Sequence, residues 1–258
     1  MRDLTYPSVI LAAKTGFRLL GQNIDIVGAE HVPRTGGVLL ACNHIGYVDF
    51  VYGGLAANPS GRKVRFMAKR ELFDHALTGP LMRSMHHIEV DRGEGLASFE
   101  AAVRYLRDGE AVGIFPEATI SRAMELKEFK TGAVRIAATA GVPLVPVVMW
   151  GTQRMLTKDH PRDFSRGKTI LLRAGEALHP TGEDPVAETA ELRRVMSQML
   201  DEVIHGYPVD EQPPGSWWVP QRYGGSAPSL EEAAAMDAEE KAARADRRAA
   251  KQKKDKKT

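Results

Sequence analysis

The chain alternates short apolar runs with longer stretches in which polar and apolar residues are mixed. Continuous runs such as Val38–Cys42 and Leu144–Trp150 have the length and composition of buried strands. Other stretches, such as residues 95–106, repeat apolar residues at the spacing of an amphipathic helix. Because predicted strands alternate with predicted helices, the pattern indicates an α/β fold with a mixed, largely parallel sheet flanked by helices.

The same patterns give a complete set of predicted elements. Strands are predicted at residues 23–28, 38–42, 64–68, 88–90, 111–115, 144–150 and 169–173. Helices are predicted at residues 6–20, 48–57, 71–85, 95–106, 130–140 and 186–205, and the third is expected to be interrupted at Gly79-Pro80.

The predicted elements divide the chain into three regions. Residues 1–22 form an N-terminal amphipathic helix, with Lys14 and Arg18 on a basic side. This helix either caps the main domain or contacts a membrane, and the two interpretations are compatible. Residues 23–209 form the main domain. Residues 210–258 are a linker and a charged, basic tail, partly helical or disordered, which either solubilises the chain or attracts anionic lipid.

Composition narrows the class of protein only a little. The 258 residues carry a net charge of +2, which gives no indication of nucleic-acid binding. No stretch approaches 18 uninterrupted apolar residues, and the N-terminus lacks the pattern of a signal peptide. The single cysteine, Cys42, cannot form an internal disulfide, and its apolar surroundings favour a buried structural thiol over a nucleophile.

The candidate chemistry lies directly after the run at residues 38–42. There the sequence turns polar at Asn43 and His44, and Asp49 follows five residues after the histidine. On one continuous helix that separation would turn the two side chains roughly 140° apart. They can therefore meet only if His44 lies in a turn and Asp49 at the start of the next helix, where the carboxylate can orient the imidazole as a general base.

The spacing alone is weak evidence, because the chain contains four histidines with an aspartate five residues later: His44/Asp49, His86/Asp91, His179/Asp184 and His205/Asp210. Only His44 follows a buried strand and precedes a predicted helix. Lys69, Arg92 and Glu117 also lie where predicted strands end, and ligand sites in open α/β sheets form at such ends. The sequence contains no nucleophile elbow, P-loop, dinucleotide fingerprint or Cys/His metal cluster, so no metal site is predicted.

Residues 43–49 (NHIGYVD) resemble the first sequence block of the glycerophospholipid acyltransferases, the lysophosphatidate acyltransferase superfamily. Further blocks follow in the order of that family: 69–72 (KREL), 88–92 (IEVDR), 115–121 (FPEATIS), 129–133 (FKTGA) and 142–147 (VPLVPV). The resemblance covers residues 24–150, and the ordered set is far more specific than any one block. The third block, with its FPEATISR variant, is most similar to that of actinobacterial members.

The resemblance implies a glycerolipid acyltransferase-like fold and an O-acyltransferase activity. His44 would be the general base and Asp49 would orient it. The implied substrate-binding residues match the family's blocks: Asn43, Lys69, Arg92, Glu117, Ala118, Thr119 and Arg122. A capping role for Glu117, and solvated strand ends for Lys69 and Arg92, are the alternatives.

The implied reaction transfers a fatty acyl group from acyl-CoA or acyl carrier protein to a lysophospholipid hydroxyl in phospholipid biosynthesis. The favoured acceptor is 1-acylglycerol 3-phosphate, which gives phosphatidate. The family's usual glycine and arginine in the third block are Ala118 and Ile120 here, so glycerol 3-phosphate, the 2-position lysophosphatidate or a glycolipid stay open as acceptors. A non-catalytic lipid-binding protein and a thioesterase are the alternatives from other classes.

The resemblance also implies partners and a location. The protein would need no cofactor beyond its acyl-CoA or acyl carrier protein co-substrate. It would act at a membrane surface as a peripheral or monotopic protein, on the cytoplasmic face of the cell membrane.

Overall fold

A computed structural model describes the backbone of residues 5–91 and 95–255 and the side chains of these residues up to 246. Arg92, the first four residues and the lysine-rich end of the tail lie outside the described side chains.

Seven strands form one sheet, in the order β1-β7-β6-β2-β5-β3-β4. Their bounds are β1 Asn23–Val27, β2 Val38–Cys42, β3 Val64–Lys69, β4 Ile88–Val90, β5 Ala111–Ile114, β6 Leu144–Trp150 and β7 Thr169–Ala174. Among the strand pairs of the described residues, β6–β7 alone is antiparallel. The predicted mixed, largely parallel sheet is confirmed.

Eight α-helices accompany the sheet in the described part of the chain. They are α1 Thr5–Leu19, α2 Asp49–Ala56, α3 Arg70–Asp74, α4 Thr78–Ser84, α5 Gly95–Arg107, α6 Gly132–Ala140, α7 Pro185–His205 and α8 Leu230–Asp255. Local signals explain several bounds. Asp184 caps the start of α7 and Pro185 occupies its first position. Gly141, with a φ of 68°, ends α6 in the left-handed conformation.

The sheet lies between two apolar layers. On one face it packs against α5, α6 and α7, and on the other against α1 and α2. The central strand β2 is buried along its whole length because it pairs with β5 and β6 and is covered on both faces. Its continuous apolar run is therefore the expected sequence for its position.

One predicted helix has its break in a different place. The sequence analysis placed an interruption of the 71–85 helix at Gly79-Pro80, but the helix breaks between Asp74 and Thr78 instead. Pro80 is the third residue of α4, where the backbone N–H that proline lacks would have no intrahelical partner. The position of the predicted interruption was wrong.

The packed part of the chain extends past residue 209, where the sequence analysis placed the end of the main domain. Trp218 is buried, and its ring lies 5.7 Å from Trp150 and 5.4 Å from Tyr207 between ring centroids. Trp217 stacks on His160. After this segment, α8 returns along the domain. None of the helices within residues 5–91 and 95–255 is long and apolar enough to cross a membrane.

Candidate active site

Four parallel strands bring their carboxyl ends to one edge of the sheet. In β2 and β5, Ala41 pairs with Ile114, so His44 and Glu117 each lie three residues beyond a paired position. Next to β5, β3 ends at Lys69, which pairs with Val90 of β4. The register therefore brings His44, Glu117 and Lys69 to the same edge of the sheet, where ligand sites form in open α/β sheets.

The imidazole of His44 contacts the carboxylate of Asp49, with 3.0 Å between Nδ1 and Oδ2. Asp49 is the first residue of α2, and His44 lies in the turn that precedes it. Because a carboxylate only accepts, Nδ1 carries the hydrogen and Nε2 of the neutral ring is left as an acceptor. This geometry is what a general base requires.

Asp49 is held by more than the histidine. The same Oδ2 accepts the backbone N–H groups of Ile45 and Gly46, each at 2.7 Å. Its Oδ1 accepts the hydroxyl of Thr152 at 2.6 Å, and both Asp49 and Thr152 are fully buried. Four donors therefore fix one carboxylate inside the protein, which fixes the histidine in turn.

The sequence analysis missed Thr152. It lies 103 residues from Asp49, in the short helical turn that follows β6, and no local motif marks it. The only available signal was its position directly after the end of a strand neighbouring β2, where side chains from adjacent strand ends meet.

The ring of His44 is stacked on Phe115, with 4.1 Å between centroids and 20° between planes. Phe115 stacks in turn on Phe66 at 5.6 Å. The His44 side chain retains 20% exposure although its aspartate has none. The imidazole therefore has a fixed orientation and an edge open to a substrate.

The turn between His44 and α2 needs a small residue at Gly46. A Cβ at this position would come within 3.0 Å of the backbone oxygen of Leu156 and within 3.2 Å of Asp49 Oδ1. The same Leu156 oxygen accepts the N–H of Tyr47 at 2.9 Å. The loop after β6 thus lies directly against the histidine turn, and glycine permits this close approach.

Comparisons with known sequences assign the chain to a family. A sequence model of the family described as Acyltransferase matches residues 23–150. The chain is 34% identical over 157 residues to the 1-acyl-sn-glycerol-3-phosphate acyltransferase of Bacillus subtilis (strain 168), which covers 60% of this chain and 74% of the relative. The protein of that name from Borreliella burgdorferi is 28% identical over 197 residues, covering 74% of each chain. The chain belongs to the 1-acyl-sn-glycerol-3-phosphate acyltransferase family. It is an O-acyltransferase.

The fold agrees as well. The crystal structure of the 1-acyl-sn-glycerophosphate (LPA) acyltransferase PlsC from Thermotoga maritima superposes with a TM-score of 0.68. The match covers 81% of this chain and 86% of that one at 22% identity, so it supports the fold. The predicted resemblance to the family is confirmed, and the closer resemblance to actinobacterial members stays a prediction.

In this acyltransferase Asn43 has a clear positioning role. Its amide nitrogen donates to the Met149 oxygen at 3.0 Å, and its oxygen accepts the Met149 N–H at 2.7 Å. The side chain is fully buried. It therefore joins the end of β2 to β6 just before His44, and the predicted contact with substrate stays a prediction.

Glu117 also holds the backbone of the site. Its Oε1 accepts the N–H of His44 at 2.8 Å and its Oε2 accepts the N–H of Lys127 at 3.1 Å. Burial raises the pKa of Glu117 to about 8, against the lowering effect of these two donors. With 4% exposure it positions the histidine turn, and a direct substrate contact stays a prediction.

The third block makes a tight turn beside the histidine. Ala118 has a φ of 59°, a conformation that favours glycine, which the family usually has at this position. Thr119 is half-buried and accepts a hydrogen bond from Lys158 Nζ at 3.2 Å. Ile120 is buried, whereas the family usually has an arginine there.

The predicted cations differ in their surroundings. Lys69 is exposed at the end of β3, and Arg92 lies outside the described residues. Arg122 has 7% exposure and forms ion pairs with Asp159, Asp237 and Glu240. The structure therefore surrounds Arg122, one of the predicted phosphate-binding residues, with carboxylates.

Cys42 is fully buried, and burial raises the pKa of its thiol far above the usual range, so it is unsuited to act as a nucleophile. Within residues 5–91 and 95–255, no group of three or more His, Cys, Asp or Glu side chains is placed to hold a metal ion.

Proposed function

We propose that this acyltransferase transfers a fatty acyl group from acyl-CoA or acyl carrier protein to the free hydroxyl of 1-acylglycerol 3-phosphate, forming phosphatidate. The observation that carries the proposal is the hydrogen bond between His44 Nδ1 and Asp49 Oδ2, which leaves Nε2 as an acceptor. The relatives whose names include this acceptor support it.

The reaction then needs one base and no covalent enzyme intermediate. Nε2 of His44 removes the proton of the acceptor hydroxyl as its oxygen attacks the thioester carbonyl carbon. The C–O bond forms, the C–S bond breaks, and the proton on Nε2 passes to the leaving thiolate. Backbone N–H groups near the site hold the oxyanion of the intermediate.

The buried position of Asp49 supports this role for His44. The four hydrogen bonds to Asp49 keep it from turning away when the imidazole becomes charged. The resulting imidazolium is stabilised by a carboxylate already in contact with it. Phe115 limits rotation of the ring by stacking against it.

The acceptor phosphate is assigned to the basic residues at the strand ends. Lys69, Arg92 and Arg122 are the predicted ligands, together with Thr119 and the turn at Ala118. The guanidinium of Arg122 binds three carboxylates, and a phosphate that displaces any of them would bind in the same fork geometry. The family usually has an arginine where this chain has Ile120, and Arg122 would supply the missing guanidinium.

We also assign the enzyme to a membrane surface, as a peripheral or monotopic protein on the cytoplasmic face. Apolar side chains are exposed on several helices: Leu11 and Leu19 on α1, Leu72 on α3, and Leu81 on α4, with Leu77 just before α4. An apolar groove between α1 and α2 is lined by Val9, Ile10, Phe17 and Phe50. Such surfaces support contact with lipid.

A panel of acceptors tests the proposal. Purified enzyme with oleoyl-CoA is assayed for CoA release with 1-acylglycerol 3-phosphate, its 2-acyl isomer, glycerol 3-phosphate, or no acceptor, and the lipid product is identified by mass spectrometry. We expect release with 1-acylglycerol 3-phosphate and phosphatidate as product. Equal release without acceptor would identify a thioesterase, and tight acyl-CoA binding with no release would identify a binding protein. A second assay with acyl carrier protein thioester identifies the donor.

A further inference from the structure

Three basic side chains meet beside the histidine turn. Arg122, Lys127 and Lys158 come from the segments that follow β5 and β6, and their side chains are 7%, 22% and 10% exposed. Three cations this close repel one another, so an anion has to lie among them. We refer to these three residues as the basic cluster.

In this structure the anions come largely from α8. Asp237 forms ion pairs with all three cations of the basic cluster, including a 3.0 Å contact between its Oδ1 and Lys158 Nζ. Glu240 contacts Arg122 at 3.0 Å and Lys158 at 3.2 Å. The two carboxylates are three residues apart and hence on one face of the helix.

The basic cluster is connected to the catalytic turn by short links. Ser121, which precedes Arg122, donates its N–H to the His44 oxygen at 2.8 Å. Glu117 accepts the N–H groups of both His44 and Lys127. Thr157, which precedes Lys158, donates its hydroxyl to the Ile45 oxygen at 2.6 Å. Arg122 and Lys158 therefore each follow, in sequence, a residue that contacts the histidine turn. Lys127 is linked to the same turn through Glu117.

The apolar contact of α8 with the domain is small among the described side chains. Among the described side chains of α8, Ala233 is buried and Met236 is half-buried. Most of the other described side chains of the helix are exposed. Because this apolar contact is small, the carboxylates of Asp237 and Glu240 account for most of the attachment near the basic cluster.

The charges match a phosphate monoester. With α8 in place, the three cations face Asp159, Asp237 and Glu240, and the charges of these six side chains sum to zero; Glu240 is also paired with Arg244 of the same helix. If α8 withdraws, Asp159 remains and the group is left with a net charge of +2. A phosphate monoester carries about −1.5 to −2 at pH 7, so it would restore the neutral state.

We propose that the basic cluster is the binding site for a substrate's phosphate monoester and that Asp237 and Glu240 of α8 occupy it as an internal competitor. The C-terminal helix then holds the enzyme in a closed state until a phosphate-bearing substrate displaces it. This inference rests on the proposed function, because it assigns the same substrates to a particular site and adds a regulatory segment to it.

The variant Asp237→Asn/Glu240→Gln in the full chain removes the two competing charges and keeps the side-chain shapes. A short-chain, soluble 1-acylglycerol 3-phosphate serves as acceptor. We expect its KM to fall about tenfold, because the fraction of enzyme with an open site rises. The control Glu231→Gln/Glu239→Gln changes the net charge equally on exposed positions of α8 and should leave KM unchanged.

A second measurement uses the wild type and does not depend on how the variant folds. Amide hydrogen exchange of residues 230–240 is followed while short-chain 1-acylglycerol 3-phosphate, CoA or the uncharged monoacylglycerol is added. Faster exchange with the first identifies the acceptor phosphate as the displacing group, and faster exchange with CoA alone identifies the 3′-phosphate of the donor. The monoacylglycerol should have no effect.

The proposal is overturned if neither phosphate monoester changes exchange in α8 and KM is the same in both double variants. In that case α8 is a fixed part of the domain. Failure of the proposed function gives a different result, since wild-type enzyme would then show no acceptor-dependent release of CoA whatever α8 does.

Discussion

Two aspartates stand at the start of a helix, five residues after a histidine, yet their carboxylates bond in opposite directions. Asp184 is the residue before α7 and accepts the N–H groups of the second and third residues of that helix. Asp49 is the first residue within α2 and accepts the N–H groups of Ile45 and Gly46 in the preceding turn. An aspartate directly before a helix thus caps that helix, whereas an aspartate one position later, within the helix, holds the preceding loop.

The surroundings enlarge that difference. Asp49 and its partner Thr152 are fully buried, whereas Asp184 and His179 are exposed. A buried carboxylate must have each oxygen satisfied, so the neighbouring turn is built to supply donors to it. An exposed carboxylate has water available and needs only its own helix. The five-residue spacing therefore predicts a hydrogen bond between histidine and aspartate only where the histidine follows a buried strand.

The largest expected difference between the two aspartates is in activity. Asp49 accepts four hydrogen bonds, and in Asp49→Asn the amide NH₂ would point at groups that are themselves donors. We therefore expect kcat/KM to fall about a hundredfold to ten-thousandfold. Asp184→Asn should leave kcat/KM unchanged, because asparagine caps helices as well as aspartate does. Steady-state assays of both variants would contradict the account if their activities were equal.

The second comparison removes one hydroxyl at each place. Thr152→Val takes away the donor to Asp49 Oδ1, and we expect the free energy of unfolding to fall by about 1.5–3 kcal/mol, as for a buried hydrogen bond to a charged group. Thr181 donates to Glu188 on the surface before α7, and Thr181→Val should cost less than about 0.5 kcal/mol. Urea titrations measure both. Equal losses would show that burial of the acceptor does not matter.

The third comparison concerns pH. Burial raises the pKa of Glu117 to about 8, above its ordinary 4.5, so between these values the folded protein keeps a proton that the unfolded chain has lost. Stability therefore falls as pH rises through this window, with a slope of at most about 1.4 kcal/mol per pH unit. Glu117→Gln should flatten that fall in urea titrations at pH 5 to 8.

The pKa of Glu188 is shifted in the opposite direction from that of Glu117. Hydrogen bonds from Thr181 lower its pKa, so the stability it contributes is present above its ordinary pKa and is lost as pH falls below it. Glu188→Gln should therefore change unfolding in acid and leave the range from pH 5 to 8 as in wild type. The same pH dependence in both glutamine variants would contradict the assignment of the fall to Glu117.

The smallest expected effect is at the turn that carries Glu117. Ala118 pays for a φ of 59° with strain, and Ala118→Gly relieves it while making the unfolded chain more flexible. We expect a net gain of about 0–1 kcal/mol in the free energy of unfolding. Ala123→Gly, at a buried position without positive φ, should instead destabilise. Thermal melts of both variants separate the two cases.

The sequence was most informative where a local pattern decides the structure. The bounds of β2 and β6 were predicted correctly, because a fully buried strand needs a continuous apolar run that ends where the strand ends. His44 and Asp49 were found because both lie within seven residues of one such end. Pro80 misled the prediction of the helix break, since proline both interrupts helices and starts them.

The rest depends on contacts between distant residues. Thr152 approaches Asp49 only after β6 pairs with β2, and no residue near it in sequence marks that contact. The position of α8 could not be predicted either, because its attachment uses charged residues that resemble a solvated helix. Sequence patterns predict the burial of apolar residues well, but they predict specific polar contacts between distant residues poorly.

The central claim is that the imidazole of His44 takes the proton of the acceptor hydroxyl. The most direct test compares acceptor-dependent CoA release by His44→Ala with that by His179→Ala, which removes an exposed histidine that also has an aspartate five residues later. The account predicts loss of release in His44→Ala to the level without enzyme and wild-type release in His179→Ala. Acceptor-dependent release that survives in folded His44→Ala would contradict it.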